Sequence, residues 1–138
     1  MFPGGKRVVK AIPATAGNVI TNLSPGAGKR WLILREIITL VNDATVANRA
    51  IEVVFTDGTN ITERLCSTNS VLASETKILS LGEARIVQAT SLSQDGTHMY
   101  VGINPILLDS NDQLRITIKN GVAGDSYSGF LVVLEIDV

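Results

Sequence analysis

The sequence predicts an all-β protein of antiparallel strands, and three observations carry this prediction. Apolar and polar residues alternate over short runs such as 113–119, and this period of two places the apolar side chains on one face of a strand. Turn-forming Asp-Gly pairs at 57–58 and 95–96 separate such runs at the spacing expected of a sandwich or barrel. The length of 138 residues fits one domain, spanning 1–138.

The runs predict roughly eight to ten strands, with the short stretch 105–108 as the last candidate. The main ones cover 6–12, 18–23, 30–41, 48–56, 60–66, 84–92, 98–103, 113–119 and 127–137. One segment fits two structures, because Ser70 and Gly82 are suited to the start and end of a short helix. The alternative is a loop followed by a strand around 77–81, and we favour this second interpretation.

The composition argues against several classes of function. Twelve basic and thirteen acidic residues give a net charge of −1, so no basic surface for nucleic acid or anionic membrane is expected. The single Cys66 excludes an intrachain disulfide and a cysteine-based metal site. Neither a signal sequence nor an apolar run of ~18 residues is visible, so we expect a protein made in a cytosol and without a cofactor.

Three short motifs look like parts of functional sites, and each is better explained as a turn. Residues 124–126 are similar to the Gly-Asp-Ser of chymotrypsin-like proteases, but His98 is the only histidine and lies in no matching motif. The stretch 23–30 lacks the first Gly and the Ser or Thr of a P-loop. Residues 109–112 offer oxygen ligands without the Gly and Glu of an EF-hand, which leaves a calcium site between loops as the alternative. With no visible pair of nucleophile and base, an enzyme is disfavoured.

The long strand 30–41 is apolar on both faces when it is read with strict alternation. Leu32, Leu34, Ile38 and Leu40 fall on one face, and Trp31, Ile33, Ile37 and Val41 on the other. Because an antiparallel strand usually exposes one face to water, we expect a second surface to be covered, by another subunit rather than by the loop 14–29. Arg35 and Glu36 in the middle fit a bulge, a paired interface charge or the flanks of a solvated bend.

A subunit interface is predicted on this basis. The final strand is also apolar on both sides for half its length, and residues 1–5 are expected to form a flexible arm that docks on a neighbour, with a disordered chain end as the alternative. The predicted interface residues are Phe2, Trp31, Ile33, Ile37, Leu131 and Val133.

The order of segments along the chain resembles a known family. Arg-Trp-Leu-Ile-Leu at 30–34 is followed by Asn-Arg-Ala-Ile-Glu-Val at 48–53, Pro-Ile-Leu-Leu at 105–108, Leu-Arg-Ile-Thr-Ile at 114–118 and Ala-Gly-Asp at 123–125. This pattern resembles small virion proteins of tailed bacteriophages, namely head decoration or cement proteins and related jelly-roll modules. The resemblance implies an antiparallel β-sandwich of jelly-roll type, a non-enzymatic role, a homotrimer and attachment to the major capsid protein of the virion. It provides no catalytic residues, and 70–81 has no counterpart in it.

Two alternative functions remain open. A ligand- or receptor-binding β-sandwich, such as a fibre head or lectin-like module, would use the loops 95–100 and 109–112. A single-jelly-roll capsid subunit is less favoured because the chain is short for a shell-forming protein and has no strongly basic arm.

Overall fold

The structure, a computed structural model, describes residues 4–66, 71–83, 98–103 and 105–138, and in these ranges it contains ten strands and no helix. The strands are β1 (Lys6–Ala16), β2 (Thr21–Leu23), β3 (Lys29–Val41), β4 (Ala50–Thr56), β5 (Ile61–Cys66), β6 (Thr76–Glu83), β7 (His98–Ile103), β8 (Ile106–Leu108), β9 (Gln113–Lys119) and β10 (Ser126–Asp137). The loop-and-strand interpretation of 70–81 is confirmed, because β6 begins at Thr76. The predicted strand 84–92 and the candidate cap Ser70 lie outside the described residues.

The strands form two sheets, which confirms the predicted β-sandwich. Sheet A has the order β1-β10-β3-β6-β7, with β8 also paired to β3, and sheet B has the order β2-β9-β4-β5. All described pairs are antiparallel except β6 with β7, which run parallel. A parallel pair needs a connection of about a dozen residues, and the chain from 84 to 97 is long enough for one.

The pairing runs from the two ends of the chain inward. β1 pairs with β10, β2 with β9, β3 with β8, and β4 with β5, all antiparallel. The first three of these pairs lie in sheets A, B and A in turn, like the rungs of one long hairpin, whereas β4 pairs with its neighbour β5, and β6 and β7 lie outside this scheme.

The hydrophobic core lies between the sheets. On β4 the side chains of Ile51, Val53 and Phe55 point inward and are fully buried, and the predicted alternation of β9 is confirmed by its buried Leu114 and Ile116. Partners from sheet A complete the same core, so each sheet has one inner face and one outer face. The outer face of sheet A is where the structure departs most from the simple alternation read from the sequence.

Candidate interaction face

A β-bulge in β3 decides which side chains face outward. Val132 of β10 lies opposite Arg35, and the next residue, Val133, lies opposite Ile33, so Leu34 is an extra residue in β3. The extra residue switches the alternation: Trp31 and Ile33 are buried before the bulge, whereas after it the even-numbered residues face inward. The bulge interpretation of this position is confirmed.

The bulge corrects the two faces that strict alternation assigns to this strand. The inward side chains of β3 are Trp31, Ile33, Glu36, Ile38 and Leu40, all buried. The apparent apolarity on both faces thus comes partly from reading a bulged strand as a regular one. A smaller apolar surface still remains on the outer side.

The outer side of sheet A carries a patch that we call the apolar face. Its members alternate with core residues along β1, β3, β8 and β10; they are Val9, Leu32, Leu34, Ile37, Leu107, Phe130, Val132 and Leu134. Val9 is 61% exposed, Leu107 45% and Phe130 37%. Contiguous apolar surface of this kind marks interaction sites on soluble domains.

A groove of about 430 Å³ opens on the apolar face, lined by Leu34, Ile37, Phe130 and Val132 together with two arginines. The groove lies at the bulge, where Arg35 is opposite Val132 and Leu34 is the extra residue of β3. Bulges commonly re-aim side chains next to functional sites.

The two arginines at the groove are Arg7 and Arg35. Within the part of the chain that the structure describes, neither guanidinium forms an ion pair or hydrogen bond, whereas Arg30, Arg49 and Arg64 all contact carboxylates. Two unpaired cations beside apolar side chains form a surface suited to a partner that offers carboxylate and apolar groups together.

Glu36 lies directly behind this face, on the inner side of the sheet. It is fully buried between Leu131 of β10 and Leu81 of β6, and neither carboxylate oxygen has a hydrogen-bond partner. Burial raises the pKa of Glu36 to about 8, so the side chain is protonated at neutral pH. It is therefore a neutral part of the core rather than the paired interface charge considered above.

Most of the predicted interface residues belong to the interior of the single chain. Trp31 is 4% exposed, and Ile33, Leu131 and Val133 are completely buried within the core shared by the two sheets. A side chain with no exposed surface cannot gain burial from a second subunit, so the interface assignment of these four is corrected.

The polar group of the buried Trp31 finds its partner within the same chain. Its indole nitrogen donates a hydrogen bond to Glu135 at 2.8 Å, and the Lys10 ammonium lies 5.5 Å from the ring centre. Ile37 is the predicted interface residue that the structure places on the apolar face, opposite Phe130. Phe2 lies outside the described residues.

A polar cluster at one end of the sandwich joins two loops. Arg49 is fully buried and makes a bidentate ion pair with Asp125, 76 residues away, with Nε–Oδ2 of 2.9 Å and Nη2–Oδ1 of 3.0 Å. Its remaining donors bind Asp43 and the backbone carbonyls of Thr45 and Ala47. Every donor of this guanidinium therefore has an acceptor.

Asp125 is held as firmly as its partner. It accepts hydrogen bonds from the backbone N–H groups of Asp43 and Val122, each at 2.9 Å, in addition to those from Arg49. Burial raises the pKa of Asp125, but these hydrogen bonds and the Arg49 charge outweigh it, so its pKa lies below the ordinary value of 3.8. The cluster fixes the loops that precede β4 and β10, and sequence reasoning missed it because its members are far apart in the chain.

The short motifs fold as turns. Asp125 of the Gly-Asp-Ser stretch is buried against Arg49, and residues 24–28 form a turn that leads into β3. In the stretch 109–112, Asp112 accepts a hydrogen bond from the Asp109 backbone N–H, and Asp109 pairs with Arg30. Within the described ranges, no three acidic, His or Cys side chains lie close enough to hold a metal ion. Of the loop 95–100, residues 95–97 lie outside those ranges.

No protein-family model and no curated protein matches this chain. The part of the chain that the structure describes also contains no helix of the length and apolarity needed to cross a membrane.

Proposed function

We propose that this chain is a non-enzymatic structural protein of a virus particle, which associates with copies of itself and attaches to the capsid as a decoration or cement protein. In this proposal it forms a homotrimer, binds the major capsid protein and resides in the virion after synthesis in the host cytoplasm. The sequence resemblance to small virion proteins of tailed bacteriophages supports it.

The strand pairing gives independent support for the jelly-roll part of this proposal. A jelly roll is a long antiparallel hairpin wrapped so that successive strand pairs alternate between two sheets. Pairing of β1 with β10, β2 with β9 and β3 with β8 follows the order that such wrapping produces, whereas the β4–β5 pair and the parallel β6–β7 pair lie outside this order. Viral capsid and lectin domains share this architecture, so the fold agrees with the proposal without selecting it over a binding module.

The apolar face is the observation that carries the proposed self-association. The inner faces of both sheets pack against each other in the core. Ile37 and Phe130 form an apolar pair on the outer face of sheet A. Burying such a pair against another copy removes apolar surface from water, at about 25 cal/mol for each Å². A particle protein that associates stably with its own copies uses an apolar surface of this type.

The decisive experiment is the mass of the purified protein in solution, measured by light scattering over a dilution series. The proposal predicts a stable mass of three times the 14.7 kDa of one chain. A monomer at all concentrations would contradict self-association and direct attention to the groove as a ligand site, which is the second candidate function.

Replacing Ile37 with Asp tests the face directly. We expect Ile37→Asp to dissociate the oligomer, because a carboxylate placed beside Phe130 cannot be buried there without a large desolvation cost. Val46→Asp is the matched control, since Val46 is 92% exposed in the loop after β3 and lies off the apolar face. An Ile37→Asp protein that is folded and has the wild-type mass would exclude this face from the interface.

A further inference from the structure

We propose that the groove on the apolar face of one copy binds the β5 edge strand of the next copy, with Glu63 placed between Arg7 and Arg35. The inference rests on the proposed self-association and adds to it the two surfaces that meet. It follows from the distribution of paired and unpaired charges, together with the position of β5 in its sheet.

Among the carboxylate side chains that the structure describes, the exposed one without an ion pair or a hydrogen bond is Glu63. Asp43 and Glu52 lie near cations. Asp57, Glu75 and Asp112 accept hydrogen bonds from backbone N–H groups. Asp109, Glu135 and Asp137 form ion pairs with Arg30, Lys10 and Lys29, respectively. Glu63 is exposed on β5 and makes no such contact.

Among the described side chains, Lys6, Arg7 and Arg35 have neither an ion pair nor a hydrogen bond. Arg7 and Arg35 line the same groove, whereas Lys6, next to Arg7 in β1, points to the opposite side of the sheet. Within the described part of the chain, two unpaired cations therefore lie at the groove and the unpaired carboxylate of Glu63 lies on another surface. This is the charge complementarity expected of two faces that meet.

β5 is the last strand of sheet B and has one free edge. Glu63 lies opposite Phe55 of β4, whereas Ile61 lies opposite Thr56, so the bulge here places the two side chains on opposite faces of β5. The exposed Glu63 carboxylate is therefore the group of β5 that fits between the two guanidinium groups of the groove.

The same charges determine the symmetry of the contact. If the apolar faces of two copies met through a twofold axis, Arg7 and Arg35 of one copy would approach those of the other. Like charges brought together in this way oppose association. A head-to-tail contact of groove with β5 avoids this, and such contacts form rings of three or more copies when the rotation between neighbours closes.

A charge-swap experiment tests the pairing. Glu63→Arg alone and Arg35→Glu alone should each raise the dissociation constant of the oligomer by about tenfold or more, because each places like charges in the interface. The double variant Glu63→Arg with Arg35→Glu restores an opposite pair, so we expect its dissociation constant to return to within about threefold of the wild-type value. All values are obtained from light scattering over a dilution series, with circular dichroism to confirm folding.

A second double variant provides the matched control. Glu63→Arg with Lys119→Glu carries the same net charge as the swap, but Lys119 lies on β9 beside Glu52, away from the groove. Recovery of assembly by both doubles, or by neither, would overturn the pairing. If the wild-type protein is an oligomer and Glu63→Arg leaves its mass unchanged, this inference fails while the proposed self-association stands; a monomeric wild-type protein means that both fail.

Discussion

Glu36 and Asp125 are two buried carboxylates that the chain treats in opposite ways. Asp125 lies where the loops before β4 and β10 meet. It accepts hydrogen bonds from two backbone N–H groups and from Arg49, which hold its pKa below 3.8. Glu36, in the middle of a sheet, has no hydrogen-bond partner, and burial raises its pKa to about 8. Glu36 is 0% and Asp125 1% exposed, so solvent exposure does not explain the difference between their pKa values.

The number of hydrogen-bond donors within reach of each carboxylate explains the difference in pKa. In the middle of a sheet the backbone N–H groups are used in the ladders between strands, and β3 is paired on both sides of Glu36, with Leu131 and with Leu81. At the end of the sandwich the loops have backbone N–H groups without ladder partners, and these can turn toward a carboxylate. A buried carboxylate is thus stable in its ionised form where loops meet, whereas in the middle of a sheet it is stable only in its protonated form.

The two groups give the protein opposite responses to pH. Asp125, with a lowered pKa, contributes stability that is present above its usual value of 3.8 and is lost as the pH falls through the folded-state pKa. Glu36, with a raised pKa, contributes stability that is complete below its usual value of 4.5 and is lost as the pH rises to about 8. We therefore expect these two groups together to favour folding most at about pH 4–5.

Arg49→Met is the substitution expected to have the largest effect. It leaves Asp125 buried beside Asp43 without the guanidinium, and loss of one partner of a buried ion pair costs about 3–5 kcal/mol. Urea denaturation at pH 7 measures the change in free energy of unfolding. Arg115→Met is the matched control, because Arg115 is only half-buried and its side chain contacts Asn22. A loss no larger than that of the control would mean that the loops do not depend on the cluster.

Glu36→Gln is expected to change stability in the opposite direction. The amide has nearly the shape of the protonated acid but does not ionise, so at pH 8 the variant should be more stable than wild type by about 4 kcal/mol. At pH 4.5 both side chains are neutral, and the two proteins should differ little. The measurement is urea denaturation at a series of pH values between these limits.

The control for this substitution is Glu75→Gln, which makes the same change at a carboxylate whose oxygen accepts a hydrogen bond from the Leu72 backbone N–H, a bond that the amide oxygen of Gln can keep. We expect Glu75→Gln to retain the loss of folding stability between pH 4.5 and 8. Equal slopes for wild type and Glu36→Gln over that range would show that Glu36 is not the group responsible.

These two carboxylates also show how far the sequence could be interpreted. The all-β class, most strands and the bulge near Arg35 were predictable, because alternation and turn residues are local signals. The side to which Glu36 points was not, since one extra residue in β3 reverses every later side chain. Reading through the bulge assigned Trp31 and Ile33 to an interface, although both lie in the core.

The cluster around Arg49 was beyond local interpretation for another reason. Arg49 and Asp125 lie in different loops, 76 residues apart, and are brought together only by the pairing of strands from the chain ends inward. The one sequence signal is the coincidence of Asn-Asp at 42–43 with Gly-Asp at 124–125, which has the composition of ordinary turns. Arg49, at the start of the predicted strand 48–56, was the residue to examine.

Gly124→Ala tests the cluster by a smaller change. A Cβ at this position would lie 2.0 Å from Oδ2 of Asp43, whose other oxygen accepts hydrogen bonds from Arg49 and from the Thr45 backbone N–H. The Asp43 side chain would have to move and give up these bonds, so we expect a loss of about 1–2 kcal/mol in the free energy of unfolding.

A double-mutant cycle with Asp43→Ala separates this cause from an effect of the alanine on the backbone. When the Asp43 carboxylate is absent, Gly124→Ala meets no obstacle there and should cost little. The coupling energy between the two substitutions should then equal most of the single-variant loss, about 1 kcal/mol. Additive losses would show that the backbone at residue 124, rather than the Asp43 contact, requires glycine, and that Asp43 is a less rigid part of the cluster than Asp125.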